Sequence, residues 1–140
     1  MHAAGGLIIA QLCHGGRISH PLIQPGGATP LAPSAIKPEG QIFGPDWKKH
    51  DFVKPEALDE AGITAIVADF AAAAENARTA GFDGVEIHAG NGYLIDQFLC
   101  EGSNRRDDGY GGPPENRVRF LAEVAEAVSN VMGADRTGVR

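Results

Sequence analysis

The feature that most constrains the fold is a strand-like run that ends in a polar cluster, within residues 81–99. Gly81 is placed to end a helix, and residues 83–88 then have the composition of a short strand. Three hydrogen-bonding side chains stand at or just beyond the end of this strand: His88, Asn91 and Tyr93. Polar residues on a turn between a strand and a helix are typical of the ligand-binding end of an α/β barrel.

The segment before this run predicts a strand followed by a crossover helix. Residues 7–12 form a short apolar run behind two glycines, which predicts a strand buried on both faces. Apolar residues then recur at helical spacing at Ile63, Ile66, Val67, Phe70, Ala74 and Ala77. Two strands joined through a helix pair in parallel, so we expect Glu86 and His88 to face the interior of a barrel.

A second helix and a third strand follow. The helix is predicted to begin near Pro113, because proline is tolerated at the first helical position. Its apolar stripe is predicted at Val118, Leu121, Val124, Ala125 and Val128. Residues 137–140 resemble the start of another strand, with Arg140 where the other strands carry polar groups.

Between the first strand and the first helix lies a long proline-rich segment, residues 20–55. Segments of this length without periodicity are uncommon in compact domains and usually form a functional lid or a linker. We expect a loop over the barrel mouth, with hairpin pairing near residues 34–43.

The charge balance and the cysteines exclude several classes of partner. Twelve Lys and Arg against 18 Asp and Glu give a net charge of −6 without a basic stripe, so a nucleic-acid partner is not indicated. No apolar run reaches about 20 residues, and residues 1–6 lack the features of a signal peptide. Cys13 and Cys100 have no metal-like spacing. These features predict a soluble cytoplasmic protein with free thiols and no membrane partner.

The spacing of the glycines and polar residues gives little support to a dinucleotide-binding loop, a metal site or a catalytic triad. The Gly90–Gly92 pair lacks the third glycine of a dinucleotide-binding loop, because Ile95 occupies that position. A metal site from His14, Glu86 and His88 is conceivable in a barrel, but no two of them have a known metal-binding spacing. No nucleophile-elbow motif supports Ser/His/Asp catalysis. Metal is therefore not part of the predicted site.

A hydrogen-bonding pocket is the remaining interpretation. His88 and Asn91 can both donate to one carbonyl oxygen, which would withdraw electrons from a conjugated double bond, and Tyr93 could act as a general acid. The alternative is that these are ordinary turn residues with a surface tyrosine. Gln11, in the first strand, either binds neighbouring backbone or has a functional partner.

Three motifs together resemble the old yellow enzyme family of flavin-dependent ene-reductases, closest to the bacterial N-ethylmaleimide reductase type. They are QLCHGGR at residues 11–17, GFDGVEIHAGNGYL at 81–94 and NRRDDGYGGPPENR at 104–117. The resemblance implies that residues 1–140 are one partial FMN-binding (β/α)₈ TIM-barrel oxidoreductase domain, truncated at both ends. It would contain about three parallel strands, crossover helices and the proline-rich loop.

The resemblance also implies an activity. FMN would be reduced by NADPH or NADH, and its N5 would pass a hydride to the β-carbon of an α,β-unsaturated carbonyl or nitro compound. His88 and Asn91 would hold the substrate oxygen, and Tyr93 would protonate the α-carbon. By the same resemblance, Gln11 would bind the flavin's pyrimidine edge and Arg140 would lie against flavin N1 and O2.

Three departures from the family pattern qualify this expectation. Pro113-Pro114 replaces the usual Ser-Ile, so the helix that follows lacks a side-chain N-cap. Cys13 stands where this subgroup usually has tryptophan, which implies a roomier substrate pocket. A complete barrel of this type needs roughly 250 residues. The alternative function is therefore a non-catalytic fragment that cannot retain flavin alone and that self-associates, and a homo-oligomer is also compatible with the family.

Overall fold

The computed structural model describes all 140 residues as an α/β arrangement around a small parallel sheet. The strands are β1 (Ile9–Leu12), β2 (Leu31–Ala32), β3 (Gln41–Phe43), β4 (Lys49–Asp51), β5 (Glu56–Ala57), β6 (Gly84–Ile87) and β7 (Thr137–Val139). The α-helices are α1 (Glu60–Thr79), α2 (Leu94–Leu99), α3 (Pro114–Arg117) and α4 (Arg119–Met132). Short 3₁₀ turns lie at His2–Ala4, Pro21–Ile23, Pro25–Gly27 and Ala134–Arg136.

The central sheet has three parallel strands in the order β1-β6-β7, as predicted. Gln11 pairs with Glu86 across β1 and β6, and Glu86 pairs with Gly138 across β6 and β7. The two crossovers carry α1 and α4, which pack against each other on one face of the sheet. The predicted arrangement of parallel strands with crossover helices is therefore confirmed.

The prediction that β1 is buried on both faces is wrong for this chain. Leu12 is buried on the helix-covered face, but Ile9 on the opposite face is 55% exposed. The difference arises because α1 and α4 cover only one face of the sheet. The uncovered face carries Gln11 and Glu86, the polar members of the alternating pattern.

Both ends of helix α1 are capped by hydrogen bonds to backbone groups that have no partner inside the helix. The Asp59 carboxylate accepts a hydrogen bond from the Gly62 N–H at 2.7 Å. At the other end, Gly81 adopts a left-handed conformation with φ of +86°. The Phe82 N–H then donates to the Ala77 carbonyl at 3.0 Å, the six-to-one bond of a Schellman motif. The predicted stop at Gly81 is confirmed, and β6 follows at once.

The second crossover differs in detail from the prediction. The helix is divided into α3 and α4 at Val118, and Val118 is 44% exposed rather than part of the core. Phe120, which was absent from the predicted stripe, is fully buried against the Phe98 ring, with a centroid separation of 4.4 Å. The buried face of α4 repeats every fourth residue from Phe120: Phe120, Val124, Val128 and Met132.

The proline-rich segment contains two small pairings. Strands β3 and β4 form an antiparallel hairpin, and β2 pairs in parallel with β5. The hairpin expected near residues 34–43 forms later in the chain, because the partner of β3 lies after residue 43.

Arg106 attaches the proline-rich segment to the loop before α3. Its guanidinium donates to the carbonyl oxygens of Pro33 and Leu58 and to the Asp108 carboxylate, with Nε to Oδ1 at 3.0 Å. The hydrogen bonds from Arg106 lower the pKa of Asp108 below its usual value. The chain also passes so close to itself here that a Cβ at Gly111 would overlap the Arg106 carbonyl oxygen.

This close approach gives a stability prediction. Gly111→Ala should lower the free energy of unfolding by about 1–3 kcal/mol, because an added methyl meets backbone that has little room to move. Gly102→Ala is the matched control, since nothing lies within 4 Å of its Cβ position and its φ is not in the left-handed region. Denaturant titration of both variants checks this, and equal effects would contradict the packing argument.

Candidate active site

The turn that follows β6 carries the three predicted site residues. Asn91 and Gly92 have φ angles of +59° and +78°, and the Tyr93 N–H donates to the Gly90 carbonyl at 3.3 Å, as in a type I′ turn. Asparagine and glycine tolerate these left-handed angles best, which explains the local sequence. The turn reverses the chain so that Tyr93 comes back towards His88.

The side chains of the three residues converge. His88 Nε2 lies 3.5 Å from Asn91 Nδ2, and the His88 and Tyr93 rings have centroids 5.3 Å apart at an angle of 57°. His88 is 6% exposed, and its Nδ1 is buried without a hydrogen-bond partner. Asn91 Nδ2 can only donate, so its contact with His88 is a hydrogen bond only in the tautomer whose Nε2 accepts.

Gln97, on α2, was missed by sequence reasoning and holds this turn against the loop that follows β1. Its Nε2 donates to the carbonyl oxygens of Gly15 and Gly92, at 3.2 and 2.7 Å, and its Oε1 accepts from the Arg17 N–H at 3.1 Å. The side chain is 1% exposed. Its position in the buried stripe of a short helix could have identified it, because a buried glutamine must satisfy both ends of its amide.

Gln11 lies one row below His88 on the uncovered face of the sheet. Its Nε2 donates to the Glu86 carboxylate at 2.5 Å, so its partner is a side chain on the neighbouring strand. Gln11 is therefore not bound to neighbouring backbone, and it is exposed rather than buried in this chain. The amide retains Oε1 and one N–H for a further partner.

Arg140 and Cys13 flank His88, each one residue beyond the end of a neighbouring strand. The Ala89 N–H donates to the Arg140 carbonyl at 2.7 Å, and the His88 N–H donates to the Leu12 carbonyl at 2.9 Å. Both flanking side chains are exposed to solvent. Nearby protein atoms nevertheless remove part of the water around the Cys13 thiol, which raises its pKa. The adjacent His14 imidazole has its pKa lowered by burial, while the Asp69 carboxylate opposes that shift.

Three further findings concern metals, membranes and the cysteines. The structure contains no group of three or more His, Cys, Asp or Glu residues placed to hold a metal ion. None of its helices has the length and apolar character needed to cross a bilayer. Cys13 and Cys100 are both free.

Parallel strands joined by helices, with polar side chains beyond the carboxyl end of the central strand, are the arrangement found in one part of an α/β barrel. The model of the NADH:flavin oxidoreductase / NADH oxidase family matches residues 1–140. The chain belongs to this family of flavin oxidoreductases, and FMN is the cofactor that this membership implies. The predicted resemblance to old yellow enzyme is thereby confirmed.

Individual relatives agree with this assignment. The chain is 47% identical over 142 residues to 12-oxophytodienoate reductase 7 of Oryza sativa subsp. japonica and spans 36% of that protein. It superposes with a TM-score of 0.93 and 49% identity on morphinone reductase in complex with tetrahydroNAD, covering 99% of this chain and 40% of that one. For the old yellow enzyme homologue of Zymomonas mobilis, the TM-score is 0.95 at 45% identity, covering 99% and 38% of the two chains.

The role of Gln97 gives a second prediction. Gln97→Glu should lose both donated hydrogen bonds and place a buried carboxylate against two carbonyl oxygens, so its folded-state pKa should rise. The free energy of unfolding should then fall further as pH rises above about 4.3, where the unfolded glutamate ionises.

Gln97→Leu is the control, because it removes the same hydrogen bonds without adding a titratable group. Denaturant titrations at pH 4 and pH 7 separate the two variants. If both lose stability equally at the two pH values, residue 97 does not face the carbonyl oxygens as described.

Proposed function

We propose that this chain forms part of an FMN-dependent ene-reductase barrel. Its activity would be reduction of the activated C=C bond of an α,β-unsaturated carbonyl or nitro compound. The observation that carries the proposal is the convergence of His88 Nε2 and Asn91 Nδ2, 3.5 Å apart, beside the Tyr93 ring. Two nitrogens at this separation can both donate to a single oxygen atom.

The donor pair would bind and polarise the substrate. In the tautomer that carries its proton on Nε2, His88 would donate alongside the Asn91 amide to one substrate oxygen. Charge that develops on the substrate oxygen during reduction would be stabilised by both donors. The same two contacts would also orient the conjugated bond relative to Tyr93. Such orientation lowers the barrier by holding the reacting groups in position.

Tyr93 would supply the proton to the α-carbon. Its ring stands against the His88 ring, so a substrate whose oxygen contacts His88 would have its adjacent carbons near the phenol. The hydroxyl is a neutral donor that gives up its proton as the carbanion character of the α-carbon grows. No other tyrosine lies at the site, since Tyr110 donates to Glu123 on α4.

The cofactor's neighbours in this chain would be Gln11 and Arg140. Bound FMN would supply the hydride for the β-carbon, after reduction by NADH or NADPH. The Gln11 amide offers a free acceptor and a free N–H on the uncovered face of the sheet, a donor set that suits a pyrimidine edge. The Arg140 guanidinium, one residue beyond the end of the strand beside His88, would hold negative charge on the ring. Complexation of morphinone reductase with tetrahydroNAD supports a nicotinamide reductant.

Substitution of Tyr93 tests the proton-donor role. In the full-length protein that contains this chain, Tyr93→Phe should slow enone reduction by about 10²-fold or more, because it removes the general acid. Reduction of the flavin by NADPH should be nearly unchanged, since that half-reaction needs no proton from the site. Stopped-flow absorbance of the two half-reactions measures both rates.

Tyr110→Phe is the matched control, because it removes a phenolic hydroxyl that contacts Glu123 outside the site. It should leave both half-reactions unaltered. An equal loss in the two half-reactions of Tyr93→Phe would contradict the proposed role of this residue.

A second candidate applies to the 140 residues on their own, namely a non-catalytic fragment that does not retain flavin. The exposure of Ile9 and Val139, at 55% and 52%, favours it, because apolar surface and open strand edges promote self-association. When the isolated chain is purified with excess FMN, we expect a colourless, self-associated product. Visible absorbance that co-elutes with a monomer in size-exclusion chromatography would contradict this expectation.

A further inference from the structure

Gln11 and Glu86 form a side-chain contact on the uncovered face of the sheet, and the roles proposed above do not include Glu86. The two residues are register partners on adjacent parallel strands, so their side chains leave the same face of the sheet. Gln11 Nε2 donates to Glu86 Oε2 at 2.5 Å, a short bond to a charged acceptor. On the other side of Glu86, the register partner is Gly138, which has no side chain. Gln11 is therefore the only side-chain partner for Glu86 within its row.

The carboxylate removes an ambiguity in the glutamine. An amide has one acceptor end and one donor end, and nothing in its own shape decides which end faces a ligand. A carboxylate accepts hydrogen bonds only, so Glu86 draws the NH₂ end of Gln11 towards itself. The Oε1 atom and the second N–H of Gln11 then remain available to a ligand, each at a fixed position.

We propose that Glu86 is a positioning residue that sets the amide of Gln11 for recognition of the flavin's pyrimidine edge. This inference rests on the proposed FMN-binding function. The edge of the pyrimidine ring contains an N–H between two carbonyl groups, so an amide that presents one acceptor and one N–H complements it. Within these 140 residues Glu86 belongs to none of the four ion pairs, and its side-chain hydrogen bond is to Gln11.

A double-mutant cycle on cofactor affinity tests the proposal. FMN is titrated into the full-length apo-protein, and the dissociation constant is taken from quenching of flavin fluorescence. Glu86→Gln should weaken FMN binding about tenfold, a loss of about 1.4 kcal/mol, because a neutral amide partner accepts either end of Gln11. Gln11→Leu should weaken it at least as much. In the double variant, Glu86→Gln should have no further effect, because Glu86 acts through Gln11.

Two more variants separate position from charge. Glu86→Asp retains the negative charge but withdraws the carboxylate by one methylene, so it should lose affinity as Glu86→Gln does. Glu126→Gln removes an equivalent charge from the exposed face of α4 and should bind FMN like the wild type. Thermal unfolding of each apo-protein identifies any variant that fails to fold, and Glu86→Asp then takes the place of Glu86→Gln in the comparison.

Each outcome bears on one of the two proposals. Wild-type affinity in Glu86→Gln or in Glu86→Asp would overturn the positioning role, and so would fully additive losses in the double variant. Those results would leave the FMN-binding function intact, because the wild-type protein would still bind the cofactor. Failure of the wild-type protein itself to bind FMN would instead overturn the proposed function and, with it, this inference.

Discussion

The parallel pairing of β1 with β6 is the constraint on which the site depends. Because side chains alternate between faces, the register that buries Leu12 and Ile87 against the helices also places Gln11 beside Glu86 and directs His88 to the same face. A shift of one residue would exchange these two sets. The segments that follow β1 and β6 also contact each other, because the Leu94 N–H donates to the His14 carbonyl at 2.9 Å.

Buried and half-buried polar side chains then hold the loops around this sheet. Gln97 joins the turn after β6 to the loop after β1, and Arg106 joins the proline-rich segment to the loop before α3. Asn104 adds bonds to the carbonyl oxygens of Phe98 and Tyr110, at 2.8 and 2.7 Å. The motif at residues 104–117 is therefore architectural, whereas the motif at residues 81–94 carries the chemistry of the proposed site. Both contribute to the family resemblance for different physical reasons.

Local pattern was enough to predict some elements and misleading for others. Gly81 and the apolar stripe of α1 predicted that helix, because its caps and its spacing depend on neighbours in sequence. Val118 was wrongly placed in the core, since the division between α3 and α4 turns the buried face towards Phe120 instead. The hairpin of β3 and β4 was misplaced, because a short run of mixed composition does not identify its partner.

The sequence by itself determined the chain order of the three sheet strands and their two crossovers, and the identity of the polar residues at the strand ends, because periodicity, caps and turn residues are local properties. It also carried the family motifs. Only the tertiary structure decided which residues distant in sequence meet. The amide of Gln97 between two loops and the carboxylate beside Gln11 depend on segments brought together by the fold, whereas the 3.5 Å approach of His88 to Asn91 follows from the local turn. A polar side chain's partner is set by position in space, and that position follows from strand register and turn geometry rather than from composition.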